Sequence, residues 1–551
     1  MHSIQRALVA SLLASSILSS SQALADEKRP AIGPFYDHVL LLSVDGMHEI
    51  DLQNWITAHP ASNFAKLAQH GVDYTNAYTT APSDSYPGTL AQVTGGTPKS
   101  AGLFYDDSYD RLEYPSKAFY TSQGKPDLGC TGPAGTEVTN FEALDKTYNF
   151  STGLVTDYTA GGTLGKVLTQ LDPDNMQRKL VNGKCMPVYP HEYVRDNTIF
   201  EVIKQAGRRT AWSDKHPAYE DLAGPSGKGL DELFAPEINA QDTLDAGAKA
   251  GDDYTTSYTG VRSYDSLKVN AVINWIDGYD SLRKTKPGVP AIFGMNFQAV
   301  SVGQKLAKAG DADADKALTG GYLDAKATPG NALTLQLQFV DDSLGKFIKE
   351  LKSKALYRDT LIVISAKHGQ SPINRKLRNA ISDSLYASAP GFGKNGFEIC
   401  DDVALVWLSP EKQKDLDATS KSYYEEAKAY LKANAAQLQI KQLLSREELA
   451  ELYQDPFSDS RTPDFISITN HGVICTGGSK LAEHGGFAHD DRNVLLMLSA
   501  QGLNPIKVDE RVYTTQIAPT ILQALGLDPR SLDAVHKEGT EVLKVSSDRD
   551  Y

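Results

Sequence analysis

The chain has 551 residues, of which 41% are hydrophobic and 23% are charged. This is an ordinary globular composition, and it excludes a disordered chain, a collagen-like repeat and a small disulfide scaffold. The 69 Asp and Glu residues outnumber the 55 Lys and Arg residues, and the formal net charge is −14. We therefore expect no binding to a nucleic-acid backbone, and an anionic substrate needs a local positive site.

The first element is an apolar stretch at the N-terminus. It runs from Ala7 to Leu18 and is followed by the small-x-small triplet Ala23-Leu24-Ala25, a pattern typical of a secretory signal peptide. The stretch is shorter than the roughly 20 residues of a membrane-spanning helix, and a buried N-terminal helix is the alternative. We expect a signal peptide over residues 1–25, a secreted or periplasmic protein, and no stable insertion into a membrane.

Further along the chain, apolar runs that predict buried strands alternate with segments of helical spacing. The strands are predicted at 38–44, 210–212, 290–295, 360–365 and 494–498, and the helices at 64–68, 198–206, 333–351 and 515–525. Such alternation predicts an α/β fold, in which a doubly wound, mostly parallel sheet carries helices on both faces.

Two segments, at about 107–190 and 383–470, interrupt this alternation. The first is rich in Gly, Tyr, Asp and Pro, and the second contains a predicted polar helix at 421–443. We interpret both as insertions over the carboxyl edge of the sheet, within one domain that spans residues 26–551.

The four cysteines are dispersed along the chain, at Cys130, Cys185, Cys400 and Cys475. They form no Cys-x-x-Cys pair, so a zinc knuckle is disfavoured. In an oxidising compartment two disulfides are expected, and pairing of nearest neighbours gives Cys130–Cys185 and Cys400–Cys475. Buried free thiols are the alternative, and the cysteines are structural in either case.

Polar side chains follow two of the predicted strands, where ligands bind in open α/β sheets. Asp45 follows the strand at 38–44 and is placed to hold a cation, although a turn or N-cap carboxylate is the alternative. Lys367 and His368 follow the strand at 360–365, and such a pair is costly to bury unless it is paired or functional. His484 lies in a Gly-rich turn before the strand at 494–498.

A hydroxyl-rich segment, Ser83-Asp84-Ser85-Tyr86-Pro87, precedes a short helix. A serine at a helix N-terminus gains from the backbone N–H groups and the helix dipole, which stabilise an anion such as phosphoserine. The alternative is that Ser83 or Ser85 only caps the helix.

In chain order, the motifs VDG, SYPG, VTGG, KHG and HGG, closed by TTQIAPTILQALGLDP, resemble the alkaline phosphatase superfamily. The resemblance is greatest to its type I phosphodiesterases and nucleotide pyrophosphatases, and it spans residues 38 to 528. It implies a doubly wound α/β sandwich that hydrolyses phosphate mono- or diesters. It also implies a Ser or Thr nucleophile, a covalent intermediate, and two metal ions, usually zinc.

The resemblance assigns roles to four residues. It implies that Asp45, Ser85, His368 and His484 are metal ligands, and that Ser85 is also the nucleophile. Asp106 falls near the position of a phosphate-contacting Asn.

Three metal ligands of the family are missing. Lys367 stands where the family has an Asp, and Val300 and Gln304 fill the positions of an Asp-x-x-x-His pair. We therefore expect one divalent ion, zinc, rather than two. As a positive charge itself, Lys367 is a candidate catalytic residue that stabilises the transition state or activates Ser85. Further candidate ligands or acid–base groups are His48, His216 and Asp106.

Two functions are consistent with these residues. The first is an exported phosphoester hydrolase that acts on a small phosphorylated substrate through a phosphoserine at Ser85. The alternative is a non-catalytic family member that binds a phosphorylated or sulfated ligand in the same pocket. Hydrolysis of sulfate esters is disfavoured, because the Cys/Ser-x-Pro-x-Arg motif of sulfatases is absent around Ser85.

Overall fold

The computed structural model describes residues 36–139, 171–239, 253–417, 419 and 421–544. The predicted signal peptide lies outside the described residues. Within them, no helix is both long enough and apolar enough to cross a membrane.

An eight-stranded sheet lies at the centre of the molecule. Its strands in chain order are β1 (His38–Val44), β2 (Gly71–Tyr74), β3 (Ala211–Ser213), β4 (Glu232–Phe234), β5 (Ile292–Phe297), β6 (Thr360–Ser365), β7 (Leu496–Ser499) and β8 (Ile506–Val508). Their spatial order is β8-β2-β7-β6-β1-β5-β3-β4. The strands from β6 to β4 are parallel, and β7 is antiparallel to both of its neighbours. The predicted α/β fold with a mostly parallel sheet is confirmed.

Both faces of the sheet are covered. Strands β5 and β6 are buried along their whole length, as expected for continuous apolar runs in parallel strands. Alternate residues of β1 enter different cores, because successive strand side chains point to opposite faces. Val39 and Leu41 pack in one core, and Leu40 and Leu42 pack in the other.

Helices flank this sheet and extend into the connecting segments. The α-helices of the described residues are Glu49–Ala58, Asn63–Ala68, Ser85–Thr94, Pro98–Ala101, Lys117–Ser122, Pro190–Tyr193, Ile199–Gln205, Tyr258–Ile276, Ala299–Lys305, Asn331–Ser353, Pro410–Gln413, Tyr423–Ala433, Arg446–Leu452, His489–Arg492, Ile517–Ala524 and Asp533–Glu538. Those that were predicted from helical spacing all begin within two residues of the expected position.

A second, antiparallel sheet is formed by Phe397–Cys400, Val403–Trp407, Phe465–Thr469 and Ile440–Leu444, in that spatial order. The predicted helix at 421–443 is wrong in its last part, because the helix ends at Ala433 and a strand begins at Ile440. Gln439 between them has a left-handed φ of 54°, which ends helical geometry. The backbone of Ile440–Leu444 then pairs with Phe465–Thr469.

Smaller strand pairs complete the fold. They are Ala77–Tyr78 with Val512–Tyr513, Asp107–Asp110 with Thr136–Thr139, Arg178–Val181 with Lys184–Pro187, and Asn379–Ile381 with Val473–Cys475. The cysteines pair as nearest neighbours, with Cα–Cα distances of 5.4 Å for Cys130–Cys185 and 5.6 Å for Cys400–Cys475. Two disulfides of this kind are typical of proteins in oxidising compartments.

Candidate active site

The carboxyl ends of the central strands meet at one edge of the sheet. Ser43 of β1 is in register with Asn296 of β5 and with Ser365 of β6. The residues that follow β1 and β6, Asp45 and Lys367-His368, are therefore brought together although more than 300 residues separate them in the chain. This is the edge at which open α/β sheets bind ligands.

Ser85 is the first residue of the helix Ser85–Thr94 and is completely buried. The helix is capped by Asp84, whose carboxylate accepts a hydrogen bond from the Tyr86 backbone N–H. The capping alternative is therefore wrong for Ser85. Its Oγ lies 3.2 Å from His368 Nε2 and accepts a hydrogen bond of 3.1 Å from Lys215 Nζ. Two basic side chains thus converge on one hydroxyl oxygen.

The carboxylate of Asp45 is fully engaged. Its Oδ1 lies 2.9 Å from His368 Nε2, and its Oδ2 accepts a 2.6 Å hydrogen bond from Gln298 Nε2 and lies 3.4 Å from Lys367 Nζ. Burial opposes ionisation here, but the charges of His368 and then Lys367 outweigh it and hold the pKa of Asp45 well below its usual range. Asp45 is therefore an anion that orients His368 and Lys367.

The Lys367 ammonium group is buried in a ring of polar partners. Its Nζ donates to the Tyr219 hydroxyl at 2.8 Å and lies 3.6 Å from Asp214 Oδ1, in addition to its contact with Asp45. The Tyr219 ring stacks on Tyr86, with 4.5 Å between the ring centroids. These contacts fix one positive charge beside the start of the helix Ser85–Thr94.

Lys215 is a site residue that sequence reasoning missed. It follows β3 just as Asp45 follows β1, so the strand-end rule could have identified it. Burial lowers the pKa of Lys215, and the positive charge of Lys367 lowers it further. A lysine of this kind loses its proton more easily than an exposed one.

His484 stacks against His368, with 4.1 Å between the ring centroids. Its Nδ1 lies 3.2 Å from Asp84 Oδ1, although the orientation does not make a hydrogen bond. Burial lowers the pKa of His484 well below its usual range, and the charges of Lys305 and His368 act in the same direction. His484 is therefore a neutral imidazole at the wall of the site.

A cleft of about 300 Å³ opens beside these residues, and Lys215 and His484 line it. Asp106 and Asp401 also line it. Burial, followed by the charge of Asp84, raises the pKa of Asp106 to about 6, and burial followed by Glu483 raises that of Asp401 to about 7. The cleft therefore holds carboxyl groups that titrate near neutral pH.

The two remaining histidine candidates are placed differently. His216 lines the cleft, and its Nδ1 lies 2.7 Å from Glu237 Oε1. His48 instead anchors the helix Glu49–Ala58, since its Nδ1 contacts Asp51 at 2.9 Å and its Nε2 accepts from the Gln370 backbone N–H. Because both ring nitrogens are engaged there, the structure does not support His48 as an additional ligand.

An Asp, a buried Ser and two His side chains meet at the carboxyl edge of the mostly parallel sheet, and this arrangement and the fold agree with the alkaline phosphatase superfamily. Within it, the chain belongs to the type I phosphodiesterase/nucleotide pyrophosphatase family, whose sequence profile matches residues 39–491. No curated protein matches the sequence.

Solved structures with this fold include murine ectonucleotide pyrophosphatase/phosphodiesterase 5, with 13% identity and a TM-score of 0.53 over 89% of this chain and 96% of that chain. They also include the alkaline phosphatase PafA, with 15% identity and a TM-score of 0.57 over 90% of this chain and 97% of that chain. At such low sequence identities, the structural similarity supports the fold alone.

The family is typically metal-dependent, but the side chains at this site do not fit a pair of metal ions. Among the described residues, no group of three or more His, Cys, Asp or Glu side chains is arranged to hold a metal. Val300 lies in the apolar core, and the Gln304 amide donates to the Gly46 carbonyl at 2.8 Å. The ammonium group of Lys367 stands where the family has a ligand carboxylate, and it repels cations.

Proposed function

We propose that the protein is an exported phosphoester hydrolase in which Ser85 forms a covalent phosphoserine, Lys215 is the base and Lys367 supplies positive charge. The observation that carries this proposal is the contact of Ser85 Oγ with Lys215 Nζ and His368 Nε2, at 3.1 and 3.2 Å. A buried hydroxyl that is held by a lysine of lowered pKa is an activated nucleophile. The two disulfides favour an oxidising compartment.

The reaction follows from these contacts. Ser85 Oγ attacks phosphorus and passes its proton to the neutral amine of Lys215, while the bond from phosphorus to the leaving oxygen breaks. The leaving oxygen takes a proton from water in the cleft. The hydroxide that this leaves takes the proton from Lys215, which returns to the neutral amine. A second water then attacks the phosphoserine and gives a proton to Lys215 as the bond from phosphorus to Ser85 Oγ breaks. Lys215 passes that proton to Ser85 Oγ, and phosphate or a phosphomonoester leaves.

Lys367 has a different role from Lys215. Its Nζ contacts Asp45, Asp214 and Tyr219, so its position is fixed before substrate arrives. A fixed charge in a buried site stabilises the negative charge that develops on the phosphoryl oxygens. We propose that this ammonium replaces one metal ion of the family's usual pair, and we expect at most one divalent ion per chain.

The substrate is proposed to be a small phosphate ester. Lys215 lines the cleft, which at about 300 Å³ has the size of a small-molecule site. An inactive variant of the murine phosphodiesterase has been solved in complex with AMP, which supports this ligand class.

The test compares two neighbouring serines in assays with an aryl phosphate monoester and diester. Ser85→Ala should abolish hydrolysis, whereas Ser83→Ala should keep most of it, because the buried Ser83 hydroxyl only donates to the Gly486 carbonyl at 2.8 Å. Thermal unfolding should be nearly unchanged in Ser85→Ala. Retention of more than about a tenth of the wild-type rate in Ser85→Ala would contradict a nucleophilic role.

Assays of the wild-type protein distinguish a hydrolase from the non-catalytic alternative. A hydrolase should show turnover of at least one of the two esters. Acid-quenched samples should show a transient mass gain of one phosphoryl group with the monoester, or of the phosphoryl group and its retained ester group with the diester. If the protein bound phosphate but neither hydrolysed an ester nor formed phosphoserine, the result would favour the alternative, a family member that only binds its ligand.

A further inference from the structure

A second cleft, of about 460 Å³, lies apart from the active site. Among the described residues, it shares no lining residue with the active-site cleft. Its walls come from the segment before the helix Ser85–Thr94, the end of the helix Arg446–Leu452, and the chain around the helix Asp533–Glu538. We call it the arginine cleft, because Arg492 and Arg511 both line it.

The two guanidinium groups of the arginine cleft share one aromatic ring. The guanidinium carbons of Arg492 and Arg511 lie 5.8 and 4.4 Å from the centroid of the Tyr78 ring. Arg492 donates from Nε and Nη2 to the Thr79 carbonyl, at 3.2 and 2.9 Å. Two like charges are thus held close to each other by a ring and a carbonyl.

Neither arginine has a carboxylate partner within the part of the chain that the structure describes. Burial lowers the pKa of Arg492. Of the two acidic residues that line the cleft, Glu538 accepts hydrogen bonds from the Thr97 backbone and hydroxyl, and Glu541 lies on the exposed C-terminal segment. Among the described residues, the positive charge at the arginines therefore has no ion-pair partner.

A buried hydroxyl in the same cleft is an independent sign of a ligand. The Thr80 side chain is 5% exposed, and its Oγ1 has no hydrogen-bond partner among the described residues. Buried hydroxyls in native proteins are nearly always satisfied. Thr80 lines the cleft beside the arginines, so one oxyanion could accept from this hydroxyl and from both guanidinium groups.

The remaining wall is partly apolar. Leu452 and Tyr513 line the cleft and are 50% and 42% exposed, and Tyr453 contributes a further ring. We propose that the arginine cleft is a second binding site, for a small phosphate-type oxyanion that carries an aromatic or aliphatic group. Arginine guanidinium groups suit such an oxyanion because they donate in a fork geometry, and the apolar side chains would cover the attached group.

Phenylphosphonate is a suitable probe because its carbon–phosphorus bond is not a phosphoester. In calorimetric titrations, the wild-type protein should bind two equivalents, one in each cleft. Arg511→Ala should lose one of them, or weaken it at least about tenfold through loss of a charge-assisted hydrogen bond. Its hydrolytic activity should remain at the wild-type level. The matched control, Arg530→Ala, removes an exposed arginine outside both clefts and should bind two equivalents.

The outcomes separate this proposal from the proposed function. If the active site does not bind phenylphosphonate, the wild type should bind one equivalent, in the arginine cleft, and Arg511→Ala should bind none or bind it more weakly. A Thr80→Val variant provides a second probe of the same site and should weaken the same equivalent. Unchanged binding in both variants, or no binding of phenylphosphonate to the wild type, would overturn the second site.

Discussion

The candidate active site, which is the cleft together with the buried side chains beside it, has two halves that balance charge differently. The nucleophile half comprises Asp45, Ser85, Lys215, Lys367 and His368, and the acidic half comprises Asp84, Asp106, Asp401 and His484. In the nucleophile half, contacts of 2.9 to 3.6 Å join Asp45, Lys367 and His368 to opposite charges. In the acidic half, burial and neighbouring carboxylates raise the pKa of Asp106 to about 6 and of Asp401 to about 7.

The two halves also differ in how their lysines are paired. Lys305 and Lys480 line the cleft on the acidic side, and both pair with the carboxylate of Glu483. Two lysines lie in the nucleophile half, and one of them contacts Ser85 Oγ directly. The acidic half contains a neutral His484 and carboxyl groups that hold their protons up to near-neutral pH. A phosphoryl group should therefore bind over the nucleophile half, and the leaving group should extend along the acidic half.

The largest expected effect comes from Lys215. Lys215→Ala should lower kcat by about a thousandfold, as is usual for loss of a general base. Lys215→Arg should not restore activity, because a guanidinium donates to Ser85 but does not accept its proton. In the wild type, activity should rise with pH through a pKa below the ordinary value for lysine, since burial and then Lys367 lower it.

Steady-state kinetics of the two Lys215 variants over a range of pH test this role. If Lys215→Arg recovered most of the wild-type kcat, Lys215 would only position Ser85, and the nucleophile half would need another base.

A smaller effect is expected from Lys367. Lys367→Met should lower kcat about a hundredfold by removing fixed charge from the transition state, with less effect on KM. It should also destabilise the fold by about 3 kcal/mol, because Asp45 and Asp214 lose a buried partner. Urea unfolding and initial rates measure the two effects separately.

Arg111 provides the matched control for Lys367. Its guanidinium pairs with the buried Asp464 at 2.6 Å, and it does not line the active-site cleft. Arg111→Met should lose comparable stability and keep its activity below the unfolding transition. Equal losses of kcat in the two variants would mean that Lys367 acts only through stability.

Much of the fold could be predicted because burial on both faces is visible in the sequence. Strand β6 was predicted with its observed bounds, since Thr360–Ser365 is a continuous apolar run that begins and ends abruptly. The strand Ile440–Leu444 was missed because it follows a helix without a Gly or Pro, and its pairing with Phe465–Thr469 is a long-range contact.

The candidate site could be predicted only in part, because some of its residues are brought together by long-range contacts. Asp45, Ser85, His368 and His484 lie in short motifs with a recognisable order. Lys215 and Tyr219 follow β3, and they reach Ser85 and Lys367 because β3 is placed two strands from β1. That placement depends on strand order, which local spacing does not determine.

The smallest effect concerns stability and comes from the acidic half. The folded pKa of Asp401 is raised to about 7, first by burial and then by Glu483. Since the folded state holds this proton more tightly than the unfolded chain, the carboxyl lowers stability as pH rises from about 4 to about 7. Asp401→Asn should therefore match the wild type at about pH 4 and exceed its stability at about pH 8. Urea unfolding at both pH values measures this, and the exposed Asp509→Asn is the control. An equal difference at the two pH values would show that Asp401 does not titrate in this range.

The central claim is that the Lys367 ammonium replaces one metal ion of the family's usual pair in the nucleophile half. The most direct test is to measure metal content and diesterase activity together, before and after exhaustive chelation of the wild-type protein. The account predicts at most one equivalent of divalent metal and no recovery of activity that depends on a second equivalent. Two tightly bound equivalents of zinc, with activity lost on chelation and restored only when both return, would contradict it.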